Sequence, residues 1–245
     1  MSTTAEIVHK TRRRRLAIAT VLGTTLFGLG RWYASPAKKS AEGALLDQFL
    51  PNAEFNGEVS VIIHAPPSAI FEALRAVTLA DMPLANAIGE IRYLPGRLAG
   101  KGATEETKTR PFMDLVIAGN GNIILAEETE RELVIGAVAK YHNLMDQQVA
   151  PLHSPQEFLD FVDPDYQKLA MSFRVTGHDR MDGYRLTLEH RTHALSPTAR
   201  WKFALYWLGI KPGGNFVSWL LLRAIKRRAE ALVDEDIISY YTVGE

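Results

Sequence analysis

Residues 168–191 read KLAMSFRVTGHDRMDGYRLTLEHR, and in two parts of this stretch the apolar residues fall on every second position. The positions that share one side are Leu169, Met171, Phe173 and Val175 in the first part, then Tyr184, Leu186, Leu188 and His190 in the second. A period of two is typical of a β-strand with one face on the core. The sequence therefore predicts two antiparallel strands with a turn at residues 181–183 between them.

Segments on the N-terminal side extend this pattern. Residues 59–64 predict a strand, and Pro67 is suited to the first turn of the helix that follows it. Residues 123–127 and 132–141 predict a β-hairpin, and residues 45–50 predict an apolar arm that packs on the domain. Antiparallel strands and helices in this order indicate an α+β domain built on one sheet.

The C-terminal part of the chain predicts a long helical segment. Residues 198–210 are apolar nearly all round, whereas residues 217–232 have one apolar stripe. The sequence Lys-Pro-Gly-Gly at residues 211–214 separates these two halves. Because proline and glycine disfavour a helix interior, we predict a break at this point.

The first half of that segment has more apolar surface than one sheet covers, since a helix packed on one sheet buries only one of its sides. One side carries Trp201, Ala204, Leu205 and Leu208, and another carries Phe203, Trp207 and Ile210, followed by Phe216 and Trp219. We expect the second side to be covered by the arm at residues 45–50, or else to contact a membrane or a second copy of the chain.

The composition excludes several classes of protein. The 245 residues include no cysteine, so disulfides, thiolate metal sites and thiol nucleophiles are excluded. The formal net charge is zero, but residues 1–40 contain eight Lys or Arg and one Glu, while the remainder contains 20 basic and 27 acidic residues. A nucleic-acid-binding face needs clustered positive charge on the folded body. We therefore expect no nucleic-acid partner.

The basic N-terminus precedes an apolar segment. Residues 1–15 form a basic tail with four consecutive arginines, and residues 16–30 carry no charge. Trp32 and Tyr33 follow, and such side chains suit the interface between a membrane and water. Residues 16–34 therefore predict a transmembrane anchor.

Two alternatives to a retained anchor stay open. The apolar run is shorter than the about 20 residues that a spanning helix needs. A cleaved export signal and an ordinary helix packed on the domain also fit a run of this length. If the segment spans a membrane, the excess of positive charge before it places the N-terminus in the cytoplasm and the domain outside, joined by a linker at residues 35–44.

Several parts of the sequence resemble bacterial members of the START / polyketide-cyclase (SRPBCC) superfamily. These parts are residues 45–51, residues 61–67, RELVIG at 131–136, TLEHRT at 187–192, and residues 199–207 followed by KPGG at 211–214. The resemblance implies a helix-grip fold, in which a curved antiparallel sheet surrounds a long C-terminal helix and encloses an apolar cavity. It places the ligand-binding domain at residues 45–235, with a C-terminal tail at 236–245. Known members include lipid and sterol carriers, hormone binders and aromatic polyketide cyclases, so the resemblance implies a fold more specifically than an activity.

Side chains on the predicted inner surfaces form the candidate ligand pocket. They are Phe71, Leu74, Ile88, Tyr141, Met171, Phe173, Leu188, His190, Val217, Leu221 and Arg228. His190 and His193 are three apart on a predicted strand, so they face opposite sides and cannot chelate one ion. The sequence contains no other catalytic or metal-binding pattern, and we expect no catalytic residue, metal or cofactor.

Three polar features stand out. His190 lies on the apolar side of its strand, where it is either a core histidine or a group that contacts a ligand or transfers protons. Arg228 projects into the apolar stripe of the last helix, where it either snorkels to solvent or binds a polar ligand group or a buried acid. Glu189 and Arg191 share the other side of their strand and predict a solvent-side ion pair of little energetic consequence.

Together these features predict a membrane-tethered protein that binds or carries a hydrophobic small molecule or lipid, rather than an enzyme. The alternative is an enzyme similar to polyketide cyclases or dehydratases, acting on a bound aromatic or polyketide-type substrate with the help of His190, Tyr141 or Arg228. A purely structural membrane-associated protein is the third interpretation. The expected partners are the apolar ligand and the membrane, and a homodimer stays open. The expected location is a single-pass membrane protein with its domain outside the cytoplasm.

Overall fold

The structure is a computed structural model that describes residues 43–85, 108–143, 148–178 and 183–242. The predicted anchor at residues 16–34 and the predicted pocket residue Ile88 lie outside these ranges. Within them, no helix combines the length and the apolar character that crossing a membrane requires.

The described strands form one five-stranded antiparallel sheet in the order β1-β5-β4-β3-β2. The strands are β1 (Phe55–Ile63), β2 (Ile123–Glu128), β3 (Glu132–Ala139), β4 (Gln167–His178) and β5 (Gly183–Ala194). The predicted hairpin is β2–β3, and the opening stretch of alternating residues is β4–β5. The first strand pairs with the last, and the C-terminal helix contacts both of them.

The helices are α1 (Leu46–Phe49), α2 (Pro67–Ala76), α3 (Phe112–Asn120), α4 (Pro155–Asp160) and α5 (Pro197–Thr242). Proline stands at the first position of α2, where the missing N–H has no helical partner to lose. The α+β class with a long C-terminal helix against an antiparallel sheet is therefore confirmed. Helix α5 continues beyond residue 235, where we expected the domain to end.

The predicted break at residues 211–214 is wrong, because α5 runs through Pro212 without interruption. A proline in a helix interior costs about 3 kcal/mol and a glycine about 1 kcal/mol relative to alanine. The helix is fixed on both sides of this point, however, since Phe203 and Trp207 are buried before it and Leu221 is buried after it. Tertiary packing thus outweighs the local preference of the chain.

Alternate residues of each strand lie on two faces of the sheet. The inner face is the one that Ile135, Phe173 and Leu188 share, and it packs against α2, α3 and the second half of α5. Its main contacts on the helices come from Leu74 of α2 and Ile225 of α5, both fully buried. This cluster is the principal hydrophobic core.

The outer face carries a second, smaller core under α1 and α4. Val134, Val138 and Ala170 of the sheet pack there against Leu46 of α1 and Phe158 of α4. The arm at residues 45–50 therefore packs on the domain, as predicted. It lies on the outer face, so the expectation that it covers Phe203 and Trp207 is wrong.

The Glu189–Arg191 pair is buried on the outer face, which contradicts the prediction of a solvent-side pair. Arg191 is fully buried, and its guanidinium donates hydrogen bonds of 2.7 Å to Glu189 Oε1, Asp47 Oδ1 and the Leu50 carbonyl. The alternation of the strand predicts that the two residues share a face but not that α1 covers that face. The pair fastens the arm to the sheet.

Candidate functional site

Most of the predicted pocket residues belong to the packed core. Phe71, Leu74, Phe173, Leu188 and Leu221 are each 4% exposed or less and lie in one continuous apolar cluster. Met171 and Val217 pack against its edge and are partly buried. A ligand at the centre of this cluster would have to displace side chains that already fill the space.

Arg228 does not face the core. Its side chain is 44% exposed, and its guanidinium lies 3.5 Å from Asp81 at the surface. The backbone position predicts an inward direction, but the long side chain extends past the edge of the core to an acidic partner. Arg228 is therefore no longer a candidate for the pocket.

His190 lies in the other half of the inner face, where the first half of α5 packs on β1 and β5. His190 of β5 pairs across the sheet with Gly57 of β1. A Cβ atom added to Gly57 would lie 2.5 Å from His190 Nε2 and 2.7 Å from Asn215 Oδ1 of α5. Only a residue without a side chain leaves room for these two polar groups on β1.

An aromatic group closes one end of this region. Trp207 of α5 makes an edge contact with His190, with 5.5 Å between ring centroids, and stacks on Phe203 at 5.7 Å. Phe55, at the start of β1, contacts Phe203 at 4.8 Å and Trp207 at 6.1 Å. Phe55 and His190 thus cover Phe203 and Trp207, whereas Phe216 and Trp219, which we assigned to the same side of α5, are exposed.

The region contains polar atoms that are buried without a partner. In the part of the chain that the structure describes, three buried side-chain atoms make no hydrogen bond, and two of them are Trp207 Nε1 and Asn215 Oδ1. The third, Asn122 Oδ1, lies outside this region, beyond the C-terminal end of α3. An unpaired buried polar group costs about 1–3 kcal/mol, so such groups in a native protein call for an explanation. We refer to Gly57, His190, Trp207, Lys211 and Asn215 as the seam cluster.

The surroundings of His190 keep its imidazole uncharged at neutral pH. Burial, with a smaller contribution from the positive charge of Lys211, lowers the pKa of His190 to about 4. Burial also lowers the pKa of Lys211. At neutral pH the imidazole is therefore uncharged, with one nitrogen that donates and one that accepts a hydrogen bond.

Tyr141 lies at the same end of the sheet, after β3. Its main-chain N–H donates to Gln167 Oε1 at 2.9 Å, which fixes it beside the start of β4. Burial, and then the proximity of Tyr206 on α5, raise the pKa of the Tyr141 phenol. The phenol stays protonated at neutral pH and is available as a hydrogen-bond donor.

These groups define what the seam cluster can do chemically. Trp207 Nε1 only donates and Asn215 Oδ1 only accepts, so the seam cluster offers a ligand one hydrogen-bond donor and one acceptor. A histidine with a pKa of about 4 is a weak base at neutral pH. General acid–base catalysis works best when the pKa is near the working pH, so the cluster suits binding better than proton transfer.

A surface cleft of about 460 Å³ lies elsewhere, between α2 and the β2–β3 turn. Phe71 is the one predicted pocket residue that lines it, and charged side chains such as Glu72, Arg75 and Glu130 form much of its wall. Arg75 is paired with Glu127 on this surface. The exposed lining of the cleft is mainly apolar, but the cleft is open to solvent, unlike the enclosed cavity that the resemblance implies.

The sequence reasoning found His190 but missed Gly57, Trp207 and Asn215 as parts of one site. One signal was available, since Gly57 interrupts an otherwise continuous strand and a glycine there indicates the close approach of another group. Asn215 gives none, because it follows the predicted break at residues 211–214 and precedes the apolar stripe that begins at residue 217. Within the described residues, no group of three or more His, Asp or Glu side chains is placed to hold a metal ion.

No known protein-family model matches the chain, and no curated protein matches it. Among solved structures, the crystal structure of CalU16 from Micromonospora echinospora is similar, with 17% identity over 80% of this chain and 94% of CalU16 and a TM-score of 0.24. A TM-score at this level carries no argument about function. The helix-grip-like α+β fold rests on the sheet order and on α5, and membership of the START / SRPBCC superfamily stays a prediction.

Proposed function

We propose that this protein binds, and delivers or stores, an apolar small molecule or lipid that carries a hydroxyl-type polar group. The observation that supports this most is the pair of unpartnered buried atoms, Trp207 Nε1 and Asn215 Oδ1, on the side of α5 that faces the sheet. Neutral His190 and the aromatic side chains of Phe55 and Phe203 supply the surroundings for such a group. Apolar pockets with a few well-placed polar groups are typical of small-molecule sites.

The alternative function is a polyketide cyclase- or dehydratase-like enzyme. The convergence of His190 and Asn215 on Gly57 favours it, because catalytic sites bring polar groups together in this way. The low pKa of His190 speaks against it at neutral pH. Arg228, a third candidate for assistance, lies at the surface with Asp81 and not at the seam cluster. We therefore propose binding ahead of catalysis.

The proposed setting of this function is a membrane, with the protein held by residues 16–34 and the domain outside the cytoplasm. This part of the proposal is supported by the sequence of the N-terminal segment. Full-length protein should remain in the membrane fraction after washing with carbonate or high salt. A variant without residues 1–36 should be soluble and folded, and its unfolding would contradict the anchor.

Extraction of the purified protein tests the ligand directly. Native mass spectrometry and organic extraction of protein from its own host should detect an apolar compound bound at one equivalent. Asn215→Leu and Trp207→Phe should lose most of this compound, whereas Thr198→Ala, an exposed residue of the same helix, should retain it. Equal amounts of the compound in all four proteins would contradict the assignment of the site.

A matched pair of ligands tests the polar group. We expect 2-naphthol to bind more tightly than naphthalene, by roughly fivefold to tenfold, because each hydrogen bond contributes about 1 kcal/mol. In Asn215→Leu the two affinities should become similar. Equal affinities in the unmodified protein would show that the cluster recognises apolar area alone.

A further inference from the structure

The outward side of α5 carries a row of large apolar residues that the domain does not cover. The row consists of Trp201, Leu205, Leu208, Phe216 and Trp219, which are 66%, 57%, 44%, 44% and 36% exposed. Their spacings of four, three, eight and three residues place them on one side of a helix. At 1.5 Å per residue the row is about 27 Å long. We call it the exposed stripe.

The exposed stripe is distinct from the side of α5 that packs on the sheet. Phe203 and Trp207 lie between its members in sequence, yet they are 3% and 6% exposed because they face β1. The helix therefore has one buried apolar side and one exposed apolar side over the same turns. Contiguous exposed apolar surface on a soluble domain marks a place where something else binds.

Basic residues of α5 predominate around the exposed stripe, although Arg200, Lys226 and Arg228 pair with acidic side chains. Between residues 197 and 229 the chain has seven basic residues and neither Asp nor Glu. Lys202 and Arg223 are exposed beside the stripe, and the Arg223 guanidinium lies 4.9 Å from the centre of the Trp219 ring. This sign contrasts with the excess of acidic residues over the domain as a whole. Aromatic and leucine side chains flanked by Lys and Arg are typical of helices that lie in the interface of an anionic membrane.

We propose that the exposed stripe of α5 docks the domain on the surface of a lipid bilayer that contains anionic lipids. Indole and phenyl rings are favoured at the depth of the lipid headgroups, and each basic residue near such a surface adds attraction. A second copy of the chain is a poorer occupant. Pairing two such stripes would bring together two positively charged surfaces, which repel one another. The bilayer supplies both the apolar depth and the negative charge that the stripe lacks.

This inference goes beyond the proposed function, because it concerns the orientation of the domain and not its ligand. It is also independent of the anchor, since a domain tethered by residues 16–34 can either lie on the bilayer or stand away from it. Docking through α5 would hold the seam cluster, which lies on the same helix turns, close to the membrane surface. A lipid-derived ligand would then have a short path to the site.

Single cysteine labelling of the full-length protein tests the contact, because the natural chain has no cysteine. Leu205→Cys, labelled with an NBD fluorophore, reports the surroundings of the stripe. Val162→Cys is the matched control, since Val162 is an 80% exposed apolar residue outside α5. Both proteins are placed in vesicles of phosphatidylcholine alone and of phosphatidylcholine with 30% phosphatidylserine, and quenching by iodide and by brominated lipid is measured.

With phosphatidylserine present, we expect the label at residue 205 to shift to shorter wavelength, to be protected from iodide at least threefold and to be quenched by brominated lipid. The label at residue 162 should remain accessible to iodide in both vesicles. If the label at residue 205 stays accessible to iodide, docking is excluded. If it is protected without quenching by brominated lipid, another surface covers the stripe: a second copy when protection depends on protein concentration, and the protein's own chain when it does not. Either result overturns the proposal.

Charge variants separate docking from anchoring and from ligand binding. Lys202→Gln and Arg223→Gln should each weaken the phosphatidylserine-dependent shift about fivefold, as measured by the fraction of anionic lipid needed for half of the effect. Arg131→Gln, in the exposed β2–β3 turn, should have no such effect. None of these changes should alter the apolar compound recovered by extraction. Loss of the compound with docking intact would instead contradict only the proposed function.

Discussion

The two faces of the sheet differ in whether their buried polar groups have hydrogen-bond partners. On the outer face Arg191 donates to three acceptors, and the Glu132 carboxylate accepts from the Leu45 and Leu46 main-chain N–H groups and from Ser172 Oγ. On the inner face, beneath the first half of α5, Trp207 Nε1 and Asn215 Oδ1 are buried and have no partner. Both faces belong to the same sheet, and His190 and Arg191 are consecutive residues of β5.

This difference indicates what each face is for. Paired buried polar groups hold parts of a fold in place, and here they fasten α1 to the sheet. Unpaired buried polar groups lower stability, so they persist where another role requires them. The outer face is therefore structural, whereas the seam cluster is the place to look for a ligand. Four predictions test this distinction.

The largest effect is expected from the outer face. Arg191→Met should lower the free energy of unfolding by about 3–5 kcal/mol, because it removes the buried guanidinium that pairs with the carboxylates of Glu189 and Asp47. Urea denaturation followed by circular dichroism measures the change. Arg131→Met is the control, since the exposed Arg131–Glu128 pair should contribute less than about 1 kcal/mol. If Arg191→Met and Arg131→Met lower the free energy of unfolding equally, the buried pair contributes no more to stability than an exposed one, and the structural role of the outer face is contradicted.

The pH dependence of stability tests the burial of His190. The folded state keeps His190 neutral down to a pKa of about 4, whereas the unfolded chain protonates it near 6.5. The unfolded state therefore binds more protons between these values, and stability falls as the pH drops from 6.5 to 4. The total loss is up to about 3 kcal/mol, at 1.36 kcal/mol per pKa unit. His190→Gln should remove this part of the pH dependence, which denaturation at pH 7, 5.5 and 4 measures. If His190→Gln leaves the pH dependence of the free energy of unfolding unchanged, the imidazole is exposed to water in the folded protein.

The sequence predicts the strands well because their patterns are local. The alternation at Phe173 and Leu188 and the order of elements are enough for an antiparallel sheet with a C-terminal helix. A period of two identifies which residues share a face, but it does not identify what covers that face. The burial of Arg191 depends on α1, which lies more than 140 residues away in the chain, and no local pattern contains that information.

The sequence predicts α5 and the site less well, for two physical reasons. Residues 198–210 are apolar on all sides, so the pattern does not distinguish the buried Trp207 from the exposed Trp201. The helical conformation at Pro212 is determined by tertiary packing and not by the local preference of the chain. Asn215 lies between the predicted break at residues 211–214 and the apolar stripe that begins at residue 217, so no local pattern indicates it as a binding residue. His190 could be identified because it is the only histidine on the apolar side of its strand.

A methyl group on Gly57 tests the packing of the seam cluster. Gly57→Ala should destabilise the protein by about 1–3 kcal/mol, because the new Cβ atom would overlap the His190 ring and Asn215 Oδ1. Gly177→Ala is the matched control within the same sheet, since its new Cβ atom would have no neighbour within 4 Å. Thermal unfolding measures both. The double variant Gly57→Ala/His190→Ala should recover part of the loss, and a fully additive result would mean that the two residues do not meet.

The smallest predicted effect is an increase in stability, whereas the effects above are decreases. It distinguishes the inner face of the sheet from the outer face most clearly. Asn215→Leu should stabilise the protein by about 1 kcal/mol, because it replaces an unpaired buried oxygen by apolar surface of similar size. On the outer face, Ser172→Ala should destabilise by about 1–2 kcal/mol, since it removes the 2.6 Å hydrogen bond to Glu132.

Urea denaturation of the two variants alongside the unmodified protein measures both signs. The Asn215→Leu protein should also fail to retain the extracted compound, so that stability rises as binding is lost. A residue whose removal improves the fold and abolishes binding is present for the ligand. If Asn215→Leu is instead destabilising to the same extent as Ser172→Ala, Asn215 has a structural partner, and the contrast between the inner and outer faces no longer holds.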